Sequence, residues 1–127
     1  MKENQTFYTL DIVNDIRFIG DKIRSDERVH ILNDFDALDE ERISDTFEKK
    51  SISMIFMDTI HTYEQVLAEY MTWKPYMKDD CVILIDDIRP TTPERTKWKF
   101  HQDFTPSEKY DVTEWAHNDT GFGVYMR

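Results

Sequence analysis

Residues 55–88 read IFMDTIHTYEQVLAEYMTWKPYMKDDCVILIDDI, and this stretch decides the fold. An apolar run from Ile52 to Met57 stops on Asp58. From Thr62 the spacing Val66, Leu67, Tyr70, Met71, Trp73 and Met77 forms a long helical stripe, which KDDC breaks. CVILIDD is then a further strand, and its unbroken apolar run implies burial on both faces, as in a parallel sheet. Strand, helix and strand make a parallel unit whose two strands both finish on carboxylates.

Working outward, TFYTLDI at residues 6–12 is aromatic and β-branched and reads as a strand with Asp11 at its C-terminal end. NDIRFIGDKIR from Asn14 predicts a short amphipathic helix carrying Ile16, Phe18, Ile19 and Ile23. RVHIL from Arg28 is a second strand, followed by the acidic turn NDFDALDEE and a helix to about Lys49 that carries Ile43 and Phe47. After RPTTPE a helix spans roughly Arg95 to Gln102, with Pro93 near its first turn. KYDVTEWA and GFGVYMR read as two extended segments joined by the turn HNDT, an antiparallel hairpin. Alternation of strands and helices with a closing hairpin indicates an α/β fold, a mostly parallel sheet with helices on both faces. No repeat, low-complexity segment or linker interrupts residues 1–127, so a single domain is expected.

Twenty-six acidic residues against sixteen Lys and Arg leave a net charge of -10. That field repels phosphate backbones and anionic lipid, so neither nucleic acid nor membrane is an expected partner. No run approaches the roughly 18 apolar residues of a membrane span, and MKENQTF lacks the basic and apolar stretches of a signal peptide. Cys81 is the single cysteine, which excludes an internal disulfide and fits a reducing, cytoplasmic setting.

In open α/β sheets ligands bind at the carboxyl ends of the strands. The acids gather there: Asp11, Asp34 and Asp36, Asp58, and the pair Asp86 and Asp87. Neighbouring strands ending in Asp58 and in Asp86 and Asp87 bring three carboxylates together, and a hard divalent ion such as Mg²⁺ relieves their repulsion. The alternative is that Asp86 and Asp87 cap the following turn and Asp58 caps the helix near Thr62. His61 can accept a proton from a substrate hydroxyl, or can serve as a structural hydrogen-bonder at a helix start. Asp11 is placed to hold ribose hydroxyls, with Asp34 and Asp36 as candidates for the adenine end, or all three are solvated turn acids.

The same 55–88 stretch, with its DTIHTYEQV and its DD after an apolar run, resembles class I S-adenosylmethionine-dependent methyltransferases. Nearest are the small-molecule O-methyltransferases that include the macrocin and catechol O-methyltransferases and cephalosporin hydroxylase-type relatives. TFYTLDI resembles the family's second strand, RVHILNDFDAL its third with the adenine-side loop, and GFGVYMR its last, so the likeness runs along essentially the whole chain. The resemblance implies a Rossmann-like sheet and a metal-assisted O-methyltransferase acting on a small hydroxylated molecule, a sugar or natural product. It implies Asp58, Asp86 and Asp87 as ligands of Mg²⁺ or a similar ion, His61 as catalytic base, and Asp11 on the ribose of S-adenosylmethionine, with Asp34, Asp36 and Asp58 also on the cofactor side.

Two departures from the family pattern stand out. Its first strand and glycine-rich E.G...G.S turn have no counterpart, since the only glycines are Gly20, Gly121 and Gly123. DTIH also stands where the family has DGDH. The missing strand belongs at the centre of the family sheet, so a domain incomplete at its N-terminus is expected, with that strand supplied by a longer chain, a partner chain or a homo-oligomer, or not at all. A non-catalytic, methyltransferase-like interaction or structural module is therefore the alternative to an enzyme. A nicotinamide oxidoreductase has the ribose acid but no glycine fingerprint and ranks last.

Overall fold

The computed structural model describes residues 5–12, 20–116 and 119–127, which cluster into two compact units, residues 1–46 and 47–127. The helix expected from Asn14 lies mostly outside the described residues. Among those described, no helix is long and apolar enough to cross a membrane.

In the first unit β1 (Phe7–Asp11) and β2 (Val29–Asn33) pair in parallel, in register from Phe7 with Val29 to Asp11 with Asn33. The helical turn α1 (Asp21–Arg24) precedes β2, and α2 (Glu40–Thr46) follows it. Asp39 starts α2 because its carboxylate accepts the Arg42 N–H at 3.0 Å, satisfying one of the free donors of the first turn. The helix ends at Thr46, short of the expected Lys49. Phe35 and Ile43 are buried, and the Arg42 guanidinium lies 4.6 Å from the centre of the Phe35 ring.

The second unit is a mixed four-stranded sheet in the order β3 (Ile52–Met57), β4 (Met77–Asp86), β6 (Phe122–Met126), β5 (Glu108–Asp111). β3 and β4 are parallel, joined by α3 (Tyr63–Trp73), whereas β6 runs antiparallel to both β4 and β5. The architecture is therefore α/β with mixed sheets, and the strands form two sheets where one mostly parallel sheet was expected.

Two of the expected elements are corrected. The stripe from Val66 does not stay helical to Met77: α3 stops at Trp73, Pro75 enters a 3-10 turn at Lys74–Tyr76, and Met77 already opens β4. The C-terminal segments pair antiparallel, but not as a plain hairpin. Asp111 accepts hydrogen bonds from the Thr113 N–H at 3.0 Å and from its hydroxyl, and this cap starts a short helix, α5 (Thr113–Ala116), within the connection. Part of the turn HNDT lies outside the described residues; Gly121, at φ +95°, closes it where a Cβ would strike the Arg89 side chain at 2.7 Å.

Burial on β4 is one-sided. Cys81, Ile83 and Ile85 are buried together with Tyr125 of β6, while Val82 and Leu84 on the opposite face are half-buried and Met54 and Phe56 of β3 are 57% and 52% exposed. The reading of a strand buried on both faces is thus corrected, since mixed pairing allows one open face. Val66, Tyr70 and Trp73 of α3 and Phe100 of α4 (Lys97–Asp103) fill the buried side, where the Tyr70 and Phe104 rings lie 4.8 Å apart and Phe104 and Tyr125 5.3 Å apart. Full burial of an aliphatic side chain such as Val66 contributes about 1.5–3 kcal/mol.

Candidate functional site

The parallel register that sets Met57 beside Ile85 brings the carboxyl ends of β3 and β4 together. Asp58 leaves β3 there, and Asp87 follows β4 with φ +61°, a left-handed conformation that Asp tolerates better than most residues. The chain from Asp58 to α3 turns through His61. Asp58, His61 and Asp87 each offer a ligand atom, and the three atoms lie within 4.8 Å of one another.

Asp87 is the buried member, 5% exposed. One carboxylate oxygen pairs with the Arg95 guanidinium at 3.3 Å, and the other rests against His61 Nδ1. That second approach lacks hydrogen-bond alignment, and Nδ1 has no hydrogen-bond partner although it is buried. One ring nitrogen and two carboxylates this close together are a donor set that can hold a divalent cation. Two carboxylates with water suit Mg²⁺; with the imidazole as a third ligand the set suits Mn²⁺ or a similar ion.

Asp86 is not one of the three. As the last residue of β4 it alternates onto the Val82 and Leu84 face, and its carboxylate accepts the Asp87 N–H at 2.9 Å. The ligand atoms that lie together are those of Asp58, His61 and Asp87, and Asp86, expected beside Asp58 and Asp87, is not in that group. Asp58 does not cap α3, because Thr62 does so through its hydroxyl, which accepts the Gln65 N–H at 3.3 Å.

Three ionisable neighbours escaped the sequence reading. Glu69 is buried on α3 and accepts from Thr59 Oγ1 at 2.8 Å and from Gln65 Nε2 at 2.7 Å. Arg95 pairs with Asp87, and Lys97 opens α4 with its whole side chain buried. Burial holds the Lys97 ammonium below the usual lysine value, against the pull of Asp58, Asp87, Glu69 and Asp86. Two signals were present: Glu69 stands three residues after Val66 in the apolar stripe, and Lys97 shares a helical face with Phe100 and Phe104.

Asp11, Asp34 and Asp36 sit together at the carboxyl edge of the two-stranded sheet. The Asp11 carbonyl accepts the Phe35 N–H at 2.9 Å, Asp34 takes φ +54°, and Asp36 accepts the Leu38 N–H at 2.9 Å.

A methyltransferase-domain family model matches residues 1–88, more than two-thirds of the chain. The chain belongs to that family. No curated protein matches it. The matched segment of this methyltransferase domain includes β1 to β4 and ends just past Asp87, so Asp11, Asp58, His61 and Asp87 fall inside it and Arg95 and Lys97 beyond it.

Proposed function

We propose that this methyltransferase domain binds S-adenosylmethionine and transfers its methyl group to an oxygen of a small hydroxylated molecule, a sugar or natural product, with help from a divalent ion. The observation that carries the reading is the convergence of Asp58, His61 and Asp87 at the carboxyl ends of two adjacent parallel strands in a chain of this family. In the transfer the bond from methyl carbon to sulfonium sulfur breaks, the bond from carbon to substrate oxygen forms, and the hydroxyl proton leaves to a base. His61 is assigned that role because its ring stands against the Asp87 carboxylate, beside the candidate ion ligands. Asp58 and Asp87 hold the ion, and Arg95 keeps Asp87 in place through its other oxygen. When bound, the ion supplies a Lewis acid that lowers the pKa of the substrate hydroxyl. Asp11 takes the ribose hydroxyls of the cofactor, with Asp34 and Asp36 nearer its adenine.

A second reading has its own support. With three glycines in the chain and no glycine-rich turn of the family type in its sequence, and with the strands divided between two sheets, a non-catalytic module or a domain completed by a strand from another chain also fits. Calorimetric titration of S-adenosylmethionine into the protein, with and without Mg²⁺, separates the two. Binding supports the enzyme, and absence of binding in both conditions supports the module.

A further inference from the structure

Lys97 is 0% exposed and its Nζ has no hydrogen-bond partner among the described residues. An ammonium in that state is costly unless opposite charge lies close enough to offset its lost hydration. Its backbone is fixed to the His61 turn: the Thr96 and Lys97 N–H groups both donate to the His61 carbonyl, at 2.9 and 3.3 Å, and Thr96 Oγ1 accepts the Tyr63 N–H at 2.9 Å. The start of α4 is therefore tied to the loop that carries the candidate ion ligands.

The charges around it do not balance. Burial disfavours the charged form of Lys97, and the carboxylates of Asp58, Asp87, Glu69 and Asp86 favour it. Arg95 is committed to Asp87, and Glu69 is held by the neutral donors Thr59 and Gln65. Lys97 is thus a buried amine whose Nζ makes no hydrogen bond among the described residues, on a backbone tied to the His61 turn.

We propose that Lys97 is the built-in counter-cation of the Asp58, His61 and Asp87 cluster, standing in for a divalent ion when none is bound and opposing one that binds. The proposal rests on the ion site described under the proposed function and adds a determinant of its affinity. A buried lysine that only fills core volume would leave ion affinity unchanged on removal of its charge, whereas a counter-cation would not.

The test is calorimetric titration of MnCl₂ into the full chain as wild type, Lys97→Met and Lys97→Arg. Lys97→Met keeps the apolar stem and removes the charge, so Mn²⁺ is expected to bind it at least about tenfold more tightly, given the strength of repulsion between like charges in a protein interior. Lys97→Arg keeps the charge and is expected to stay within about threefold of wild type, since like charge at like distance repels alike. Wild type that binds Mn²⁺ with Lys97→Met no tighter overturns the proposal and leaves the ion site standing. Binding by Lys97→Met alone supports the proposal and removes the ion from the native function, and no binding by any of the three sinks both. Should Lys97→Met not fold by itself, a melt with Mn²⁺ keeps the test open: folding rescued by the ion supports the counter-cation, and no rescue overturns it.

Discussion

The Nδ1 atom of His61 rests on one carboxylate oxygen of Asp87 while the Arg95 guanidinium takes the other at 3.3 Å. Asp87 is therefore shared between His61 and Arg95, in a left-handed conformation at φ +61°. Asp87→Ala removes both partners and strains the backbone, and is expected to destabilise by about 1–3 kcal/mol. That is less than a fully buried pair would give, because the Arg95 side chain is 34% exposed. Asp87→Asn tolerates the same backbone and should lose about half as much. Urea denaturation measures both; equal losses for Ala and Asn would contradict the backbone contribution.

A second histidine pair is set apart from the site. His101 Nδ1 and the Tyr125 hydroxyl are hydrogen bonded at 2.7 Å. Burial holds the His101 imidazole below its ordinary value, and the charge of Lys109 adds to this while Asp111 pulls the other way. The unfolded chain then binds this proton at a higher pH than the folded protein does. The stabilisation is present above the unfolded value, about pH 6.5, and is lost as pH falls through the lower folded value. Melts between about pH 7.5 and about pH 5 should show wild type losing more stability than His101→Gln over the range where histidine titrates. Identical slopes for the two proteins would rule this out.

How far the sequence reveals this architecture depends on the kind of signal. The parallel pairing of β3 with β4 was legible because two apolar runs flank an amphipathic helix, and that pairing alone brings Asp58 and Asp87 together. Which acids converge was not legible, because it turns on strand alternation: Asp86 falls on the far face, and His61 takes its place through the turn before Thr62. Met77 fits a helical period and a strand equally well, and Pro75 decides between them by ending the helix. Glu69 and Lys97 were passed over because a charge on an apolar stripe looks like its edge until tertiary packing closes over it. α5 depends on the cap at Asp111, a hydrogen bond that propensity does not see.

At the carboxyl end of β1, Asp11 is the acid expected to hold the ribose hydroxyls. Asp11→Ala should weaken S-adenosylmethionine binding by about tenfold or more, the loss expected for hydrogen bonds to a charged acceptor. Far-ultraviolet circular dichroism should stay unchanged, since the residue is exposed. Titration calorimetry reads the effect, and undiminished affinity would remove Asp11 from the cofactor site.

Whether Asp58 and Asp87, beside His61, take a divalent ion is decided most directly by a thermal melt of wild type and Asp58→Asn, each with and without Mg²⁺ or Mn²⁺. Asp58 is exposed and does not cap α3, so without the ion the variant should melt within about 0.5 kcal/mol of wild type. At a hundredfold excess over its dissociation constant the ion should stabilise wild type by roughly 2 to 3 kcal/mol through mass action, and Asp58→Asn should lose most of that gain. A flat response in all four samples would contradict the ion site, and with it the role of His61 as an ion-assisted base.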